Sequence, residues 1–260
     1  MGNFAGYSPM TSKPLPAPRV AGGKWCVFLD VDGTLLEIAA TPDCVCVDDT
    51  LRDLLLRVAT SLDGAVALIS GRTLAALDEL FALGGWPAAG LHGAERRDST
   101  GRVHVRGPSG RALEPARAAL RRLVADTPGA LLEDKTRALA VHFRGAPEAE
   151  QKLRSAMKMW AARLAHDYQL LEGKCVMEIK PAAANKADAI DAFLREPPFA
   201  GRTPIFIGDD VTDLDGFACV ERADGLSVAV GELPARLHLD SPRDVRGFLA
   251  RLAAEPRSAS

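Results

Sequence analysis

The chain has 260 residues, 47% hydrophobic and 25% charged, which suits two unequal globular domains with a sizeable core rather than one minimal unit. Its 34 acidic and 32 basic side chains leave a formal net charge of −2, so no overall basic field exists to recruit nucleic acid or an anionic membrane, and any bound anion must be held locally. Five scattered cysteines, Cys26, Cys44, Cys46, Cys175 and Cys219, exclude a complete disulfide framework and fit a reducing compartment; Cys44 and Cys46 have no second Cys or His pair at zinc spacing.

Residues 1–24 carry Pro9, Pro14, Pro16 and Pro18 and no apolar run of signal-peptide or membrane-span length, and read as a flexible tail before a cytoplasmic protein. Trp25 to Asp30 is a buried strand that stops in Asp-Val-Asp-Gly-Thr. Leu51, Leu54, Leu55, Val58 and Leu62 fall at helical spacing, Ala65 to Ile69 is a second buried strand ending in Ser70-Gly71-Arg72, and Thr73 to Leu83 is the next helix. Strand, helix, strand implies a parallel sheet, followed by a hairpin around Ser99-Thr100-Gly101.

The middle of the chain changes character. Leu113, Ala116, Leu120 and Leu123 mark one helix, and Leu153, Ala156, Met157, Trp160, Ala161 and Leu164 a longer one. Leu131 to Glu133 with Leu139 to Phe143, and Tyr168 to Leu171 with Cys175 to Ile179, read as two antiparallel hairpins. The expected architecture is therefore α/β: a doubly wound, mainly parallel core of residues 25–107 and 181–260, with a smaller α+β block of order αββαββ inserted as residues 108–180. After Pro181 the alternation resumes with a helix from about Asn185, strands Pro204 to Ile207 and Leu226 to Val230, and a last helix near Pro242 to Leu252.

Chemistry gathers at the strand ends. Asp30 and Asp32 close the first strand, at the carboxyl side of an open sheet where ligands bind. Asp30 is a competent nucleophile toward phosphorus if cation and donors neutralise the phosphate, and Asp32 can act as acid and base for leaving group and water. Gly33 permits a tight turn that keeps the two carboxylates close. A second apolar strand ends in Gly208-Asp209-Asp210-Val211-Thr212-Asp213, so Asp30 and Asp209 from adjacent strands can hold a hard cation, for which Mg2+ is the natural choice. Ser70 and Gly71 offer a hydroxyl and an amide to phosphate, and Lys186 opens a helix where ammonium and helix N-terminus both attract an anion. Taken singly, each of these is also a common turn, cap or exposed charge; together they recur in one order at successive element ends.

Asp30-Val-Asp-Gly-Thr-Leu, Ser70, Lys186 and Gly208-Asp209-Asp210 resemble the four motifs of haloacid-dehalogenase-superfamily phosphatases, across the whole folded chain. Within that superfamily, Gly90-Leu-His-Gly-Ala-Glu95, Glu133-Asp-Lys135, Ala140-Val-His-Phe-Arg144, Gly173-Lys-Cys-Val-Met-Glu-Ile-Lys-Pro181 and Gly208-Asp-Asp-Val-Thr-Asp213 are similar to trehalose-6-phosphate phosphatases. The resemblance implies hydrolysis of a sugar phosphate through an aspartyl-phosphate. It implies magnesium held by Asp30, by Asp32 through its backbone carbonyl and by Asp209, with Asp210 and Asp213 behind. It also implies a mobile cap whose Glu133, Lys135 and Glu178 contact the sugar. The chain departs from the family pattern at Leu214, where the usual residue is Glu, removing one carboxylate near the metal. The five histidines show no ligand spacing and read as structural or surface residues.

Two other functions compete. A phosphatase of another sugar phosphate, such as sucrose phosphate, would keep Asp30, Asp32, Lys186 and Asp209 and differ in the inserted block. A receiver-type signalling module also uses a phosphorylatable aspartate, a hydroxyl and a lysine, but gains nothing from Asp32 beside the phosphoaspartate. The expected partner is a small sugar phosphate, with no nucleic acid, membrane or obligate protein partner evident.

Overall fold

The computed structural model describes residues 24–38 and 45–254. The expected tail before Lys24 and Cys44 lie outside the described residues. Two sheets form. The larger has eight strands in the order β12, β11, β10, β1, β2, β3, β4, β5: Leu237–Leu239, Leu226–Val230, Thr203–Gly208, Trp25–Leu29, Val66–Ile69, Ala88–Gly90, Glu95–Arg97 and Val103–Val105. From β12 to β3 every pairing is parallel, and β4 and β5 add an antiparallel edge.

β1 sits at the centre because all five of its residues, Trp-Cys-Val-Phe-Leu, are buried, as a parallel strand covered on both faces requires. Helices α1 (Asp49–Ser61), α2 (Leu74–Phe81), α5 (Lys186–Leu194), α6 (Leu214–Arg222) and α7 (Pro242–Ala254) alternate with these strands in the chain. Phe28, Phe193 and Phe199 meet in the core with ring centroids 5.0 to 5.9 Å apart, a geometry that adds about 0.5–1.5 kcal/mol per pair beyond area burial.

The second sheet is antiparallel, in the order β6 (Leu131–Asp134), β7 (Leu139–His142), β9 (Val176–Pro181), β8 (Tyr168–Glu172). With α3 (Glu114–Ala125) and α4 (Glu150–Arg163) it forms the expected αββαββ order and holds its own hydrophobic cluster around Leu120, Val141, Phe143, Met157 and Ile179. The paired hairpins carry one apolar face against the two helices and one polar face, which is the face that bears Glu133 and Glu178. Among the described residues no helix is long and apolar enough to cross a membrane.

Candidate active site

β1, β2 and β10 end side by side, and their last residues deliver Asp30, Ser70 and Asp209 to one edge of the sheet. The Asp30 amide donates to the Ile207 carbonyl at 2.9 Å, which ties the start of the loop to β10. Gly33 then turns with φ of +84°, and a Cβ placed there would lie 2.0 Å from Asp209 Oδ2. The glycine is thus needed twice, for its left-handed backbone and for the space the carboxylate fills. Thr34, fully buried, donates its hydroxyl to Asp209 Oδ1 at 3.0 Å.

Lys186 is the hub. Asn185 caps α5 by accepting from the Asp188 amide, which fixes Lys186 at the first helical position. Its Nζ donates to Asp30 Oδ1 at 2.8 Å and to Asp213 Oδ1 at 2.6 Å, with all three side chains buried. Asp213 uses its other oxygen to accept from the Asp209 and Asp210 amides at 3.1 and 3.0 Å, so it orients the loop after β10. Asp210 is exposed, caps the following turn through Val211 and lies in a capping box with Asp213. Leu214 opens α6 and packs against the main core, so the position of the missing carboxylate contributes apolar contact instead.

Three carboxylates, Asp30, Asp209 and Asp213, bring ligand oxygens within 4.8 Å of one another beside the ammonium of Lys186. Like charges at that separation repel by about 3 kcal/mol at an effective dielectric near 20. Burial raises Asp30 well above the carboxylate range, and Asp213 and Asp209 add to it despite the opposing charge of Lys186. Burial, followed by the charge of Asp213, pushes Asp209 up to about 6. Burial alone would lower Lys186, but the charges of Asp213 and Asp30 outweigh it and hold the ammonium. An excess of oxygen donors with raised proton affinity fits a hard divalent cation, with Asp30 and Asp209 as the available carboxylate ligands.

Because the folded pKa of Asp209 lies above that of a free aspartate, near 4, its stabilising contribution is full below about pH 4 and is lost as pH rises through about 6. Asp209→Asn is therefore expected to raise the Tm of the metal-free protein at neutral pH by about 2–6 °C. If the three carboxylates hold a divalent cation, the variant should also lose the Tm gain expected of the parent chain on adding one. A Tm that falls in chelator would mean that Asp209 is not the repelled group.

Asp32 pairs with Arg72, just beyond the end of β2. Arg72 donates to both oxygens of Asp32, Nε to Oδ2 at 2.8 Å and Nη2 to Oδ1 at 2.7 Å, a bidentate pair that orients the carboxylate and leaves each oxygen a second lone pair. Ser70 is buried, and its hydroxyl accepts from the Arg72 amide at 3.2 Å.

Glu133 on β6, Lys135 in the turn that follows it and Glu178 on β9 meet. Lys135 Nζ donates to Glu178 Oε2 at 3.2 Å, lies 3.8 Å from Glu133 Oε2, and also donates to the Gly71 carbonyl at 3.1 Å, so this trio reaches the strand-end edge of the main sheet. Lys135 is 10% exposed at its side chain, which separates it from an ordinary surface ion pair. Burial would raise Glu178, but the charge of Lys135 outweighs it and holds the carboxyl down at about 2.

His92 is the residue whose place the sequence hides. Its ring packs on Gly71, where a Cβ would lie 2.8 Å from Cε1 and Nε2, and Nε2 faces Glu178 Oε2 at 3.6 Å. Leu91 and His92 both adopt left-handed backbone, with φ of 49° and 56°. The Gly-Leu-His-Gly run is the one local signal of that turn, because its glycines flank the strained pair.

A doubly wound parallel sheet with carboxylates and a hydroxyl at adjacent strand ends, a lysine at a helix start beside them and a small α+β insertion reaching over them is a fold shared with a solved haloacid dehalogenase-like hydrolase of Bacteroides thetaiotaomicron, which aligns with a TM-score of 0.63 at 16% identity, covering 88% of this chain and 99% of the other. A family model described as trehalose-phosphatase matches residues 28–238. The chain belongs to the trehalose-phosphatase family and is an enzyme, a hydrolase. It is 46% identical over 233 residues to a probable trehalose-phosphate phosphatase of Sinorhizobium fredii, covering 88% of each chain. It is 43% identical over 220 residues to the trehalose-6-phosphate phosphatase of Escherichia coli, covering 85% of this chain and 82% of that one. Among solved structures, that of a trehalose-6-phosphate phosphatase related protein aligns with a TM-score of 0.75 at 26% identity, covering 88% of this chain and 96% of the other.

Proposed function

We propose that this protein hydrolyses trehalose 6-phosphate to trehalose and phosphate, with magnesium and through a phosphorylated Asp30. The observation that carries this reading is the buried Lys135, which joins Glu133 and Glu178 of the insertion to Gly71 beside the Asp30 edge. Carboxylates and an ammonium turned toward a cleft bind sugar hydroxyls, and residues 108–180 thereby serve as a cap over a core of 25–107 and 181–260.

Asp30 attacks phosphorus while Lys186 holds its Oδ1 and neutralises charge, and the sugar oxygen leaves with a proton from Asp32, which Arg72 orients. Water, deprotonated at Asp32, then cleaves the phosphoaspartate. Asp30, Asp209 and the backbone carbonyl of Asp32 would hold magnesium, which supplies charge neutralisation for the transferring phosphoryl group. Ser70, Gly71 and Lys186 bind the phosphate, and Asp210 and Asp213 support the metal loop from behind.

The cap reading is tested by selectivity. Glu133→Ala, Lys135→Ala and Glu178→Ala are each expected to lower kcat/KM for trehalose 6-phosphate at least about tenfold, or about 1.4 kcal/mol, and to lower it far less for a small aryl phosphate. Equal losses on both substrates would assign the trio to folding or general closure. No loss on either would place the sugar elsewhere and favour another sugar phosphate.

A further inference from the structure

The run Gly90-Leu-His-Gly-Ala-Glu95 gives no side chain to the carboxylate cluster, and its contacts converge on residues 70–74, the segment that follows β2. The Leu91 amide donates to the Arg72 carbonyl at 2.8 Å, and the His92 amide to the Ser70 carbonyl at 2.9 Å. A Cβ on Gly90 would lie 2.7 Å from the Arg72 carbonyl oxygen and 2.8 Å from the Leu74 nitrogen, so only glycine lets β3 end so close against this segment. The left-handed backbone of Leu91 and His92 is strained, and these bonds hold it in place.

Glu95 completes the grip from β4. The Leu74 amide donates to its Oε2 at 3.2 Å. Leu74 opens α2, and the opening amides of a helix have no partner within it; Thr73 accepts from that of Ala76 at 3.1 Å, and Glu95 accepts from that of Leu74. Glu95 and Arg97 lie on one face of β4 by the period of two, and Arg97 binds both oxygens of Asp78, farther along α2, at 2.8 and 2.6 Å. β4 therefore fixes α2 at two levels, and the level of Glu95 is the one beside the phosphate loop. A single residue, Thr73, separates Leu74 from Arg72, whose guanidinium holds Asp32 by two bonds. A start of α2 that drifts carries the Arg72 backbone with it, and a displacement of about 1 Å near reacting groups can cost about a hundredfold in rate.

We infer that Glu95 is a positioning residue of the hydrolytic reaction: by anchoring the first amide of α2 it fixes the backbone from which Arg72 orients the Asp32 carboxylate. The inference rests on the phosphatase reading above, in which Asp32 moves the protons. It gives the Gly90–Glu95 run a task in the core that is independent of the sugar.

The test uses the full chain with magnesium and trehalose 6-phosphate. Glu95→Ala is expected to lower kcat at least about tenfold with KM within about threefold of the parent. Glu95→Gln keeps an oxygen acceptor for the Leu74 amide and should hold kcat within about threefold of the parent. Added to Arg72→Ala, Glu95→Ala should cost less than about twofold more, because its effect runs through Arg72. Asp78→Ala loosens α2 away from the loop; it should lower the Tm and leave kcat within about threefold. If Glu95→Ala lacks a folding transition, Glu95→Met, which fills the space without an oxygen acceptor, takes its place. An unchanged kcat in Glu95→Ala, an equal loss in Glu95→Gln or in Asp78→Ala, or a full further loss on the Arg72→Ala background would overturn the inference. A parent chain that releases no phosphate from trehalose 6-phosphate would instead overturn the phosphatase reading, and this inference with it.

Discussion

Asp30→Asn is expected to cut turnover of trehalose 6-phosphate by at least about 10⁴-fold, the scale seen when an attacking nucleophile is removed from other hydrolases. The fold should survive, since the change deletes one of three crowded carboxylates and leaves Lys186 paired with Asp213 at 2.6 Å. The Tm of the metal-free variant should equal or exceed that of the parent, because burial keeps the Asp30 carboxyl from ionising easily in the first place. Phosphate release and calorimetry on the same preparation check both halves. Turnover within a hundredfold of the parent would remove Asp30 from the attacking role.

Lys186→Ala should have the larger effect on stability. The ammonium is 3% exposed and bridges Asp30 and Asp213, so its loss strands buried charge, a defect that costs about 3–5 kcal/mol. At about 2–4 °C per kcal/mol for a chain of this size, the Tm at neutral pH should fall by about 6–20 °C. The deficit has a defined pH dependence. Asp30 already has a raised folded pKa, and without the lysine it rises further. The stabilising contribution of a raised carboxyl is present at acid pH and lost as pH climbs through the folded value, so the variant's deficit should shrink toward pH 5. A deficit that grows on acidification would contradict this assignment of charge, and activity retained at neutral pH would remove Lys186 from the phosphate site.

Long apolar runs made most of the fold legible. β1, β2, β10 and β11 are continuous buried strands that announce themselves by composition, and the helices at 114–125 and 150–163 by periodicity. β3 and β12 escaped because Ala-Ala-Gly and Leu-His-Leu are three residues each, too short for a period of two and held by pairing with their neighbours. At the site, Asp30 and Asp209 stood out because buried strands that stop at carboxylates are unusual, and Lys186 because it opens a helix among them. The Asp32 pair with Arg72 was hidden by a separation of forty positions between its partners. Glu133 and Lys135 were legible as neighbours, but their meeting with Glu178 depends on the β7–β9 pairing that joins the two hairpins. His92 stood in the Gly-Leu-His-Gly run, but a lone histidine carries no ligand spacing, and only the left-handed turn after β3 brings it against Gly71 and Glu178.

The most direct measurement is phosphate release by the full chain from trehalose 6-phosphate, sucrose 6′-phosphate and glucose 6-phosphate, each with magnesium and again with a chelator in excess. Trehalose 6-phosphate is expected to be turned over with the highest kcat/KM, by about tenfold or more over the other two, and the chelator to abolish release from all three. Comparable rates on the three sugars, or release that persists in chelator, would contradict a magnesium-dependent trehalose-6-phosphate phosphatase.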